Sequence, residues 1–159
     1  MIRAAVLTIS DSSFAGTRED RSGPALTARM AELGWTTVLQ EILPDDRARI
    51  AARLGEIAGS GLANVVIATG GTGVAARDVT PEALRDVIEK EIPGLGEQMR
   101  AEGLRATPLA SLSRSLGGTR AGTLLLCVPG SPKGALESLN AIVKLIPHVV
   151  DLLEGRTGH

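Results

Sequence analysis

Aromatic side chains are nearly absent from this sequence. Of its 159 residues only Phe14 and Trp35 carry an aromatic ring, and tyrosine does not occur. Proteins that hold single-stranded nucleic acid stack bases on such rings, and most nucleic-acid binders also carry a clear excess of positive charge. Here 17 lysines and arginines are matched by 18 aspartates and glutamates, so the formal net charge is −1. The composition therefore argues against a nucleic-acid partner.

Cysteine and long apolar segments are equally scarce. The single cysteine, Cys127, has no second thiol for a disulfide and no companions for a thiolate metal site. It lies inside the apolar run LLLCV, which favours a small buried side chain over a nucleophile. No segment reaches the roughly 20 apolar residues that span a bilayer, and the first apolar stretch is too short for a secretory signal. We therefore expect a cytoplasmic protein with no membrane contact.

The usual constellations for covalent catalysis are missing as well. The sequence has only two histidines, both near the C-terminus, and neither has a serine, cysteine or acid at a spacing that suggests a catalytic pair. There is also no Gly-Lys-Ser/Thr, the ending of the Walker A phosphate loop. A reaction at this protein would depend on substrate positioning and on metal electrostatics.

What the sequence does contain is an alternation of strand and helix patterns. Short runs rich in aliphatic and β-branched residues predict strands at 3–9, 36–42, 64–69 and 123–128, and helical patterns lie between them. Parallel neighbours need a crossover that covers the sheet. The pattern predicts an α/β fold, a three-layer sandwich whose mostly parallel sheet has helices on both faces. Residues 116–120 are expected to add a short antiparallel hairpin strand.

One domain spanning residues 1–159 is the expected organisation, since no linker, repeat or low-complexity segment interrupts the chain. Among the helices, the one after the glycine-rich stretch is predicted to be capped by Thr80, with Pro81 at its first position. Its apolar face would be Leu84, Val87 and Ile88.

Polar clusters follow each of the four main strands. They are Ser10-Asp11, Pro44-Asp45-Asp46, the stretch 69–78 and Pro129-Gly130-Ser131-Pro132-Lys133. The carboxyl ends of parallel strands lie along one edge of a sheet, and ligands bind in the crevice at that edge. The clusters are thus expected to converge. For the first two clusters, a role as turn formers and helix caps is an equally good interpretation.

The stretch ATGGTGVAARDVTPE, residues 68–82, is typical of an anion cradle. Glycine lets backbone amides approach an anion closely, and the following helix N-terminus adds a favourable dipole. Gly71, Gly73 and Ala76 match the relaxed dinucleotide pattern G-x-G-x-x-G/A, but no second strand ending in an acid follows about 20 residues later. A dinucleotide-dependent oxidoreductase is therefore the weakest of the functions considered.

Asp78 is a carboxylate beside this cradle that the helix does not need as its cap. A carboxylate next to bound phosphate suggests Mg²⁺, and Asp45 or Asp46 would supply a second one. The alternative is a local Asx turn at Asp78. Ser131 would cap the last main helix, and Lys133 falls in its first turn, where the helix dipole disfavours a cation unless an anion compensates for it.

The motifs occur in an order that resembles the molybdenum-cofactor biosynthesis family MoaB/Mog. They are TISDSSFAGTREDRSGPAL, ILPDD, ATGGTGVAARDVTPEAL, IPGLGEQMR, LSR and CVPGSPKG. The resemblance implies a single-domain α/β fold, a homotrimer and binding of molybdopterin. It also implies Mg²⁺-dependent transfer of AMP from ATP to the terminal phosphate of molybdopterin, with release of pyrophosphate. The alternative within the pathway is a non-catalytic molybdopterin-binding or carrier protein. The pathway's molybdenum-insertion protein is the partner implied.

The resemblance also assigns roles to residues. Asp45 and Asp78 look like the family's essential acids, acting through Mg²⁺. The anion cradle would be formed by Gly70, Gly71, Thr72 and Gly73. Other residues implied to line the crevice are Ser10, Asp11, Arg114, Pro129, Gly130, Ser131 and Lys133. Glu97 matches the family pattern without an assigned role.

Overall fold

The computed structural model describes residues 1–158 and contains one six-stranded sheet. Its strands are β1 (Arg3–Ile9), β2 (Thr36–Leu43), β3 (Val65–Thr69), β4 (Lys90–Glu91), β5 (Leu116–Arg120) and β6 (Thr123–Val128). They lie in the order β2-β1-β3-β6-β5-β4. Strands β2, β1, β3 and β6 are parallel, whereas β5 runs antiparallel to β6 and β4 antiparallel to β5. The predicted sheet and its hairpin are confirmed.

Residues 1–158 also form seven α-helices and a 3-10 helix, of which the last two α-helices follow β6. They are α1 (Asp11–Phe14), α2 (Ser22–Glu32), α3 (Arg47–Ser60), α4 (Thr80–Val87), α5 (Pro93–Leu104), α6 (Pro132–Ile142), α7 (Ile146–Leu153) and the 3-10 helix Pro108–Leu112. Local sequence explains several ends. The Asp46 carboxylate accepts from Arg49 N at the start of α3, and Gly61 ends that helix with φ at 71°. The Ser131 hydroxyl caps α6 by accepting from Gly134 N.

The helices cover both faces of the sheet. On one face α2, α5, α6 and α7 pack against alternate strand residues such as Val6, Ile67 and Leu126. On the other face α3 and α4 pack against Leu7, Val66 and other side chains of the intervening positions. Because both faces of β1, β3 and β6 are buried, these three strands are near-continuous apolar runs, whereas the edge strand β2 is only partly buried. The three-layer α/β sandwich predicted from the sequence is thus confirmed.

The order of the parallel strands reverses its direction across the sheet between β1 and β3. From β1 the chain moves outward to β2 and then returns to β3 on the other side of β1. At such a point the connections leave in opposite directions, and a crevice opens beyond the carboxyl ends of the two strands. Ser10 follows β1 directly and Gly70 follows β3 directly, so both stand at this crevice.

Three local features differ from the sequence prediction. Helix α4 is preceded by Val79 as its cap residue, without a side-chain cap bond, and Thr80 is its first helical residue. Ile88 lies beyond α4 in an extended conformation, although it still packs on the core next to that helix. The two-residue strand β4 was not predicted, because only its pairing with β5 makes Lys90 extended. In each case the tertiary neighbour, rather than the local pattern, sets the backbone.

Candidate active site

Two adjoining cavities open at the carboxyl edge of the sheet. The acidic cavity, of about 450 Å³, is lined by Ser10, Asp45 and Asp78 together with the loop that precedes α2. The apolar cavity, of about 480 Å³, is walled by Met99 of α5 and by leucines of the 3-10 helix. Both cavities are lined by the same four residues, Gly71, Asp78, Gly130 and Ser131. These four residues form a ridge between the cavities, which we call the shared ridge.

The segment predicted as an anion cradle, Gly70 to Gly73, meets this ridge at Gly71 and depends on its glycines. Gly70 and Gly71 have φ of 108° and 67°, in the region that favours glycine. A Cβ on Gly70 would collide with the carbonyl oxygen of Ile9. Throughout the described part of the chain, no hydrogen bond is donated by the backbone N–H groups of Gly71, Thr72 and Gly73. Three consecutive amides are therefore free to bind an anion at this edge.

Asp45 brings the end of β2 into contact with the end of β1. Its Oδ2 accepts from Asp11 N at 3.0 Å, and its own N–H donates to Asp11 Oδ1 at 2.9 Å. Burial raises the pKa of Asp45 above its usual value, and the negative charges of Asp11 and Asp78 add to the increase. The site thus concentrates negative charge that a bound cation would relieve. Of the two acids considered, Asp45 faces the acidic cavity, whereas Asp46 caps α3.

Asp11 has a different environment from the one expected. Its Oδ2 accepts from the Nε and Nη2 atoms of Arg77 at 2.9 and 2.7 Å. These hydrogen bonds, and the one from Asp45 N–H, lower the pKa of Asp11. The side chain lines neither cavity. It links the glycine-rich loop to the ends of β1 and β2, so the structure gives it a bracing contact rather than a place in the crevice.

The local turn predicted as the alternative for Asp78 is present, and the role of this carboxylate in binding Mg²⁺ stays a prediction. Its Oδ2 accepts from Ala75 N at 2.9 Å, which is the local turn, and the same side chain lines both cavities. A Cβ on Gly73 would lie 2.8 Å from this oxygen, so the glycine makes room for the carboxylate. Asp78 therefore stands on the shared ridge with its orientation held by the loop.

Two predicted cations do not reach the cavities. Arg114 donates from Nε to Gly73 O and from Nη2 to Asp78 O, both at 2.8 Å, and forms an ion pair with Glu82. Its guanidinium thus holds the glycine-rich loop from behind and lines neither cavity. Lys133 is 80 % exposed and lies 3.9 Å from Glu137. Neither side chain lines either of the two cavities, because Arg114 is engaged by the loop and by Glu82, and Lys133 is mostly exposed to solvent.

The loop before α2 contributes residues that sequence reasoning missed. Arg18, Asp20 and Arg21 line the acidic cavity. Asp20 is held in place because it accepts from Thr8 Oγ1 at 2.9 Å and from Gly23 N at 3.0 Å. The charged run REDR directly before a helix was the available signal, but only the folding of the loop back over β1 shows that it faces the cavity. Arg18 and Arg21 are the cations at this cavity.

The remaining predicted residues divide between the two cavities. Ser10 lines the acidic cavity and Thr72 the apolar one, where Pro129 also lies. Glu97 lies elsewhere, in a third cavity behind the loop that is also lined by Arg100 and Arg114. Cys127 is fully buried, and its burial raises the pKa of the thiol to about 12. The prediction that this cysteine is a core residue and not a nucleophile is confirmed.

The surroundings of the glycine motif count against dinucleotide binding. In the dinucleotide fingerprint the helix opens within the motif. Here the chain remains irregular beyond Ala76, and α4 begins only at Thr80. Strand β4, which follows, is a two-residue edge strand rather than a long parallel neighbour of β3.

The donor set suits a divalent cation that is shared with a substrate. Among residues 1–158, no group of three or more histidine, cysteine, aspartate or glutamate side chains is placed to hold a metal ion alone. Asp45 and Asp78 nevertheless face the same cavity. Mg²⁺ is commonly held by one or two carboxylates plus phosphate oxygens and water. The carboxylates present fit that mode of binding.

No helix in the part of the chain that the structure describes combines the length and apolar character needed to cross a membrane.

Comparison with known proteins gives one consistent family. The family described as "Probable molybdopterin binding domain" matches residues 5–148. A molybdopterin adenylyltransferase of Helicobacter pylori strain J99 is 40% identical over 156 residues, which cover 97% of this chain and 89% of that protein. The molybdopterin adenylyltransferase of Escherichia coli K12 is 36% identical, with 97% and 86% covered. The crystal structure of the molybdopterin biosynthesis enzyme MoaB from Thermus thermophilus has a TM-score of 0.92 at 42% identity and covers 98% of each chain.

Proposed function

The chain belongs to the MoaB/Mog family of molybdopterin-binding domains in molybdenum cofactor biosynthesis, and from this premise we propose that it is a molybdopterin adenylyltransferase. It transfers AMP from ATP to the terminal phosphate of molybdopterin and releases pyrophosphate. The observation that carries this proposal is the shared ridge, where Asp78 and the free amide of Gly71 stand between two cavities and the free amides of Thr72 and Gly73 follow in the apolar cavity. One substrate lies in each cavity, and their phosphates meet at the ridge.

The reaction needs no nucleophile from the protein. A terminal phosphate oxygen of molybdopterin attacks the α-phosphorus of ATP, so a new phosphorus–oxygen bond forms. The bond from the α-phosphorus to the oxygen that bridges to the β-phosphate breaks, and pyrophosphate leaves with that electron pair. The buried Cys127 and the absence of a catalytic pair in the sequence agree with this direct transfer.

The chain's own residues bind and orient the phosphates. The amides of Gly71, Thr72 and Gly73, in the loop between β3 and α4, bind phosphate oxygens. Arg18 and Arg21 line the acidic cavity and attract the triphosphate to it. Asp45 and Asp78 would hold Mg²⁺, which when bound neutralises phosphate charge and stabilises the leaving pyrophosphate.

Arg114 supports this site without touching the substrates. Its bonds to the carbonyl oxygens of Gly73 and Asp78 hold both ends of the segment that carries the free amides and the ridge carboxylate. The ion pair with Glu82 anchors the guanidinium to α4. A fixed loop keeps its amides aimed at the reacting phosphate, which is how preorganised donors accelerate transfer.

Pyrophosphate release tests the proposal. Purified protein is incubated with molybdopterin, ATP and Mg²⁺, and pyrophosphate is measured over time. We expect release that depends on all three additions and is abolished by chelation of the metal. Molybdopterin binding without pyrophosphate would contradict the enzyme proposal and favour the alternative, a carrier of the same pathway.

The resemblance also leads us to propose a cytoplasmic homotrimer that serves the molybdenum-insertion step of the pathway. Sedimentation equilibrium of the purified protein measures the first property. A monomer at working concentrations would contradict it without affecting the proposal about adenylyl transfer.

A further inference from the structure

One buried hydroxyl in the described residues has no hydrogen-bond partner. It is Oγ1 of Thr80, a fully buried residue, and it is the only buried side-chain nitrogen or oxygen in residues 1–158 without one. Buried polar atoms are nearly always paired, since an unpaired one loses its hydration and gains nothing in return. An exception at the edge of an active site suggests that this hydroxyl forms its hydrogen bond in another state of the protein, such as the one with bound substrate.

Thr80 lies directly beneath the glycine loop. Its N–H donates to Gly71 O at 3.1 Å, so the first turn of α4 is joined to the shared ridge. A Cβ on Gly71 would collide with Thr80 Oγ1 and would stand 3.1 Å from Asp45 Oδ1. The hydroxyl and the carboxylate thus approach the same point, the position that a side chain on Gly71 would occupy.

The carboxylate has a free acceptor on this side. Asp45 Oδ2 accepts from Asp11 N–H, whereas Asp45 Oδ1 receives no hydrogen bond from the described residues. Oδ1 is the oxygen on the side of Gly71 and Thr80. An unpaired donor and an unpaired acceptor therefore lie beside the same glycine, each close to the point that a Cβ on Gly71 would occupy.

We propose that Thr80 is a positioning residue for Asp45. When the substrate phosphates occupy the glycine loop, the Thr80 hydroxyl donates to Asp45 Oδ1 and fixes the direction in which the carboxylate presents its charge to the acidic cavity. Thr80 lines neither cavity, so it acts through Asp45 and does not touch the substrates. The inference rests on the proposed function for its state with bound phosphates.

Thr80→Val tests this inference because valine keeps the shape of threonine and removes only the hydroxyl. A hydrogen bond to a charged group corresponds to a rate change of roughly tenfold to a hundredfold. We expect kcat to fall by that factor, KM for ATP to change less than threefold by the same reasoning, and the melting temperature to stay equal or rise. Thr80→Ser keeps the hydroxyl and should restore most of kcat.

Thr123→Val is the matched control. Thr123 is also buried, but its hydroxyl donates to Ala63 O at 3.2 Å. Thr123 is the first residue of β6 and therefore lies at the end of the strand opposite to the crevice. Its loss should lower the melting temperature and leave kcat unchanged. The two valine variants are therefore expected to have opposite effects on stability and activity.

Two outcomes of these kinetic and thermal measurements would overturn the inference. If Thr80→Val has the kcat of the wild type, the hydroxyl has no role in positioning. If Thr80→Val and Thr80→Ser both unfold at lower temperature and lose activity together, the residue is needed only for packing.

A crystal structure of the wild-type protein with Mg²⁺ and a non-hydrolysable ATP analogue separates this inference from the proposed function. Thr80 Oγ1 should then lie within hydrogen-bond distance of Asp45 Oδ1, whether or not the wild type releases pyrophosphate. A bound structure in which the hydroxyl still lacks that bond would overturn the positioning role while leaving adenylyl transfer intact.

Discussion

Asp78→Asn is the sharpest perturbation of the proposed mechanism. Asparagine has the same shape, and its side-chain oxygen can still accept from Ala75 N–H, the bond that holds the turn at 2.9 Å. What the variant loses is one negative charge on the shared ridge. The fold and the mechanism should therefore respond very differently.

The expected magnitudes follow from these contacts. A hydrogen bond to a neutral acceptor in place of a charged one changes the free energy of unfolding by about 1 kcal/mol, which lowers the melting temperature by roughly 2–4 °C in a domain of this size. A carboxylate that shares a divalent cation with phosphate contributes several kcal/mol in the transition state. A loss of about 4 kcal/mol there reduces kcat about a thousandfold.

The assay is pyrophosphate release with molybdopterin, ATP and Mg²⁺, paired with molybdopterin binding measured by its absorbance. Binding should largely survive, because the cradle for the anion is made of backbone amides. Asp86→Asn is the matched control, since Asp86 is an exposed acid on α4 that pairs with Arg47 and stands outside both cavities. Wild-type kcat in Asp78→Asn would refute the reasoning that this carboxylate acts in the transfer.

Three further predictions concern the scaffold of the site. Gly70→Ala would place a side chain at a φ of 108° and against Ile9 O, so the free energy of unfolding measured with urea should fall by about 3 kcal/mol or more. In the control Gly34→Ala, where φ is 75° and the space around the residue is open, it should fall by only about 1 kcal/mol. Equal decreases in the two variants would contradict the predicted collision. Arg114→Ala leaves Glu82 without its half-buried partner and removes the contacts that hold the glycine loop, so the free energy of unfolding should fall by about 2 kcal/mol and kcat should also fall. An unchanged kcat would show that the loop keeps its conformation without Arg114. The hydrogen bond from Arg114 lowers the pKa of Glu82, so this pair contributes stability above the ordinary glutamate pKa and loses it as the pH falls through the lowered value. Melting curves of Glu82→Gln should therefore show less acid sensitivity than the wild type, and parallel curves would contradict the pairing.

The layout of the fold was accessible from local patterns. Apolar runs indicated β1, β3 and β6, because a strand covered by helices on both faces is apolar along most of its length. The edge strand β2 is only partly buried and was indicated by its β-branched residues. Ser131 was correctly predicted as a helix cap, because this cap is a contact within three residues. For the cluster Pro44-Asp45-Asp46 a helix cap was one of two interpretations, and Asp46 has that role. Thr80 was wrongly predicted as a cap, since its backbone N–H is taken by Gly71 O across the loop and the local motif could not show this.

The candidate site was accessible only in outline. Strand-end clusters placed Ser10, Asp45, Asp78 and Ser131 at one crevice, because parallel strands end on the same edge. The directions of long charged side chains were not predictable. Arg114 was expected to face the crevice and instead holds the loop from behind, whereas Arg18 lines the cavity without having been considered.

The sequence by itself determined the α/β alternation, the glycine loop and the presence of spare carboxylates, because these depend on backbone periodicity and on residue types that are rare in other settings. Only the tertiary structure decided which polar groups are occupied and which are free. Asp11 is engaged by Arg77, the amides of Gly71 to Gly73 have no hydrogen-bond partner among residues 1–158, and the Thr80 hydroxyl and Asp45 both lie beside Gly71. Hydrogen bonding between groups distant in sequence depends on their positions in space, and those positions exist only once the sheet and its two helical layers have packed together.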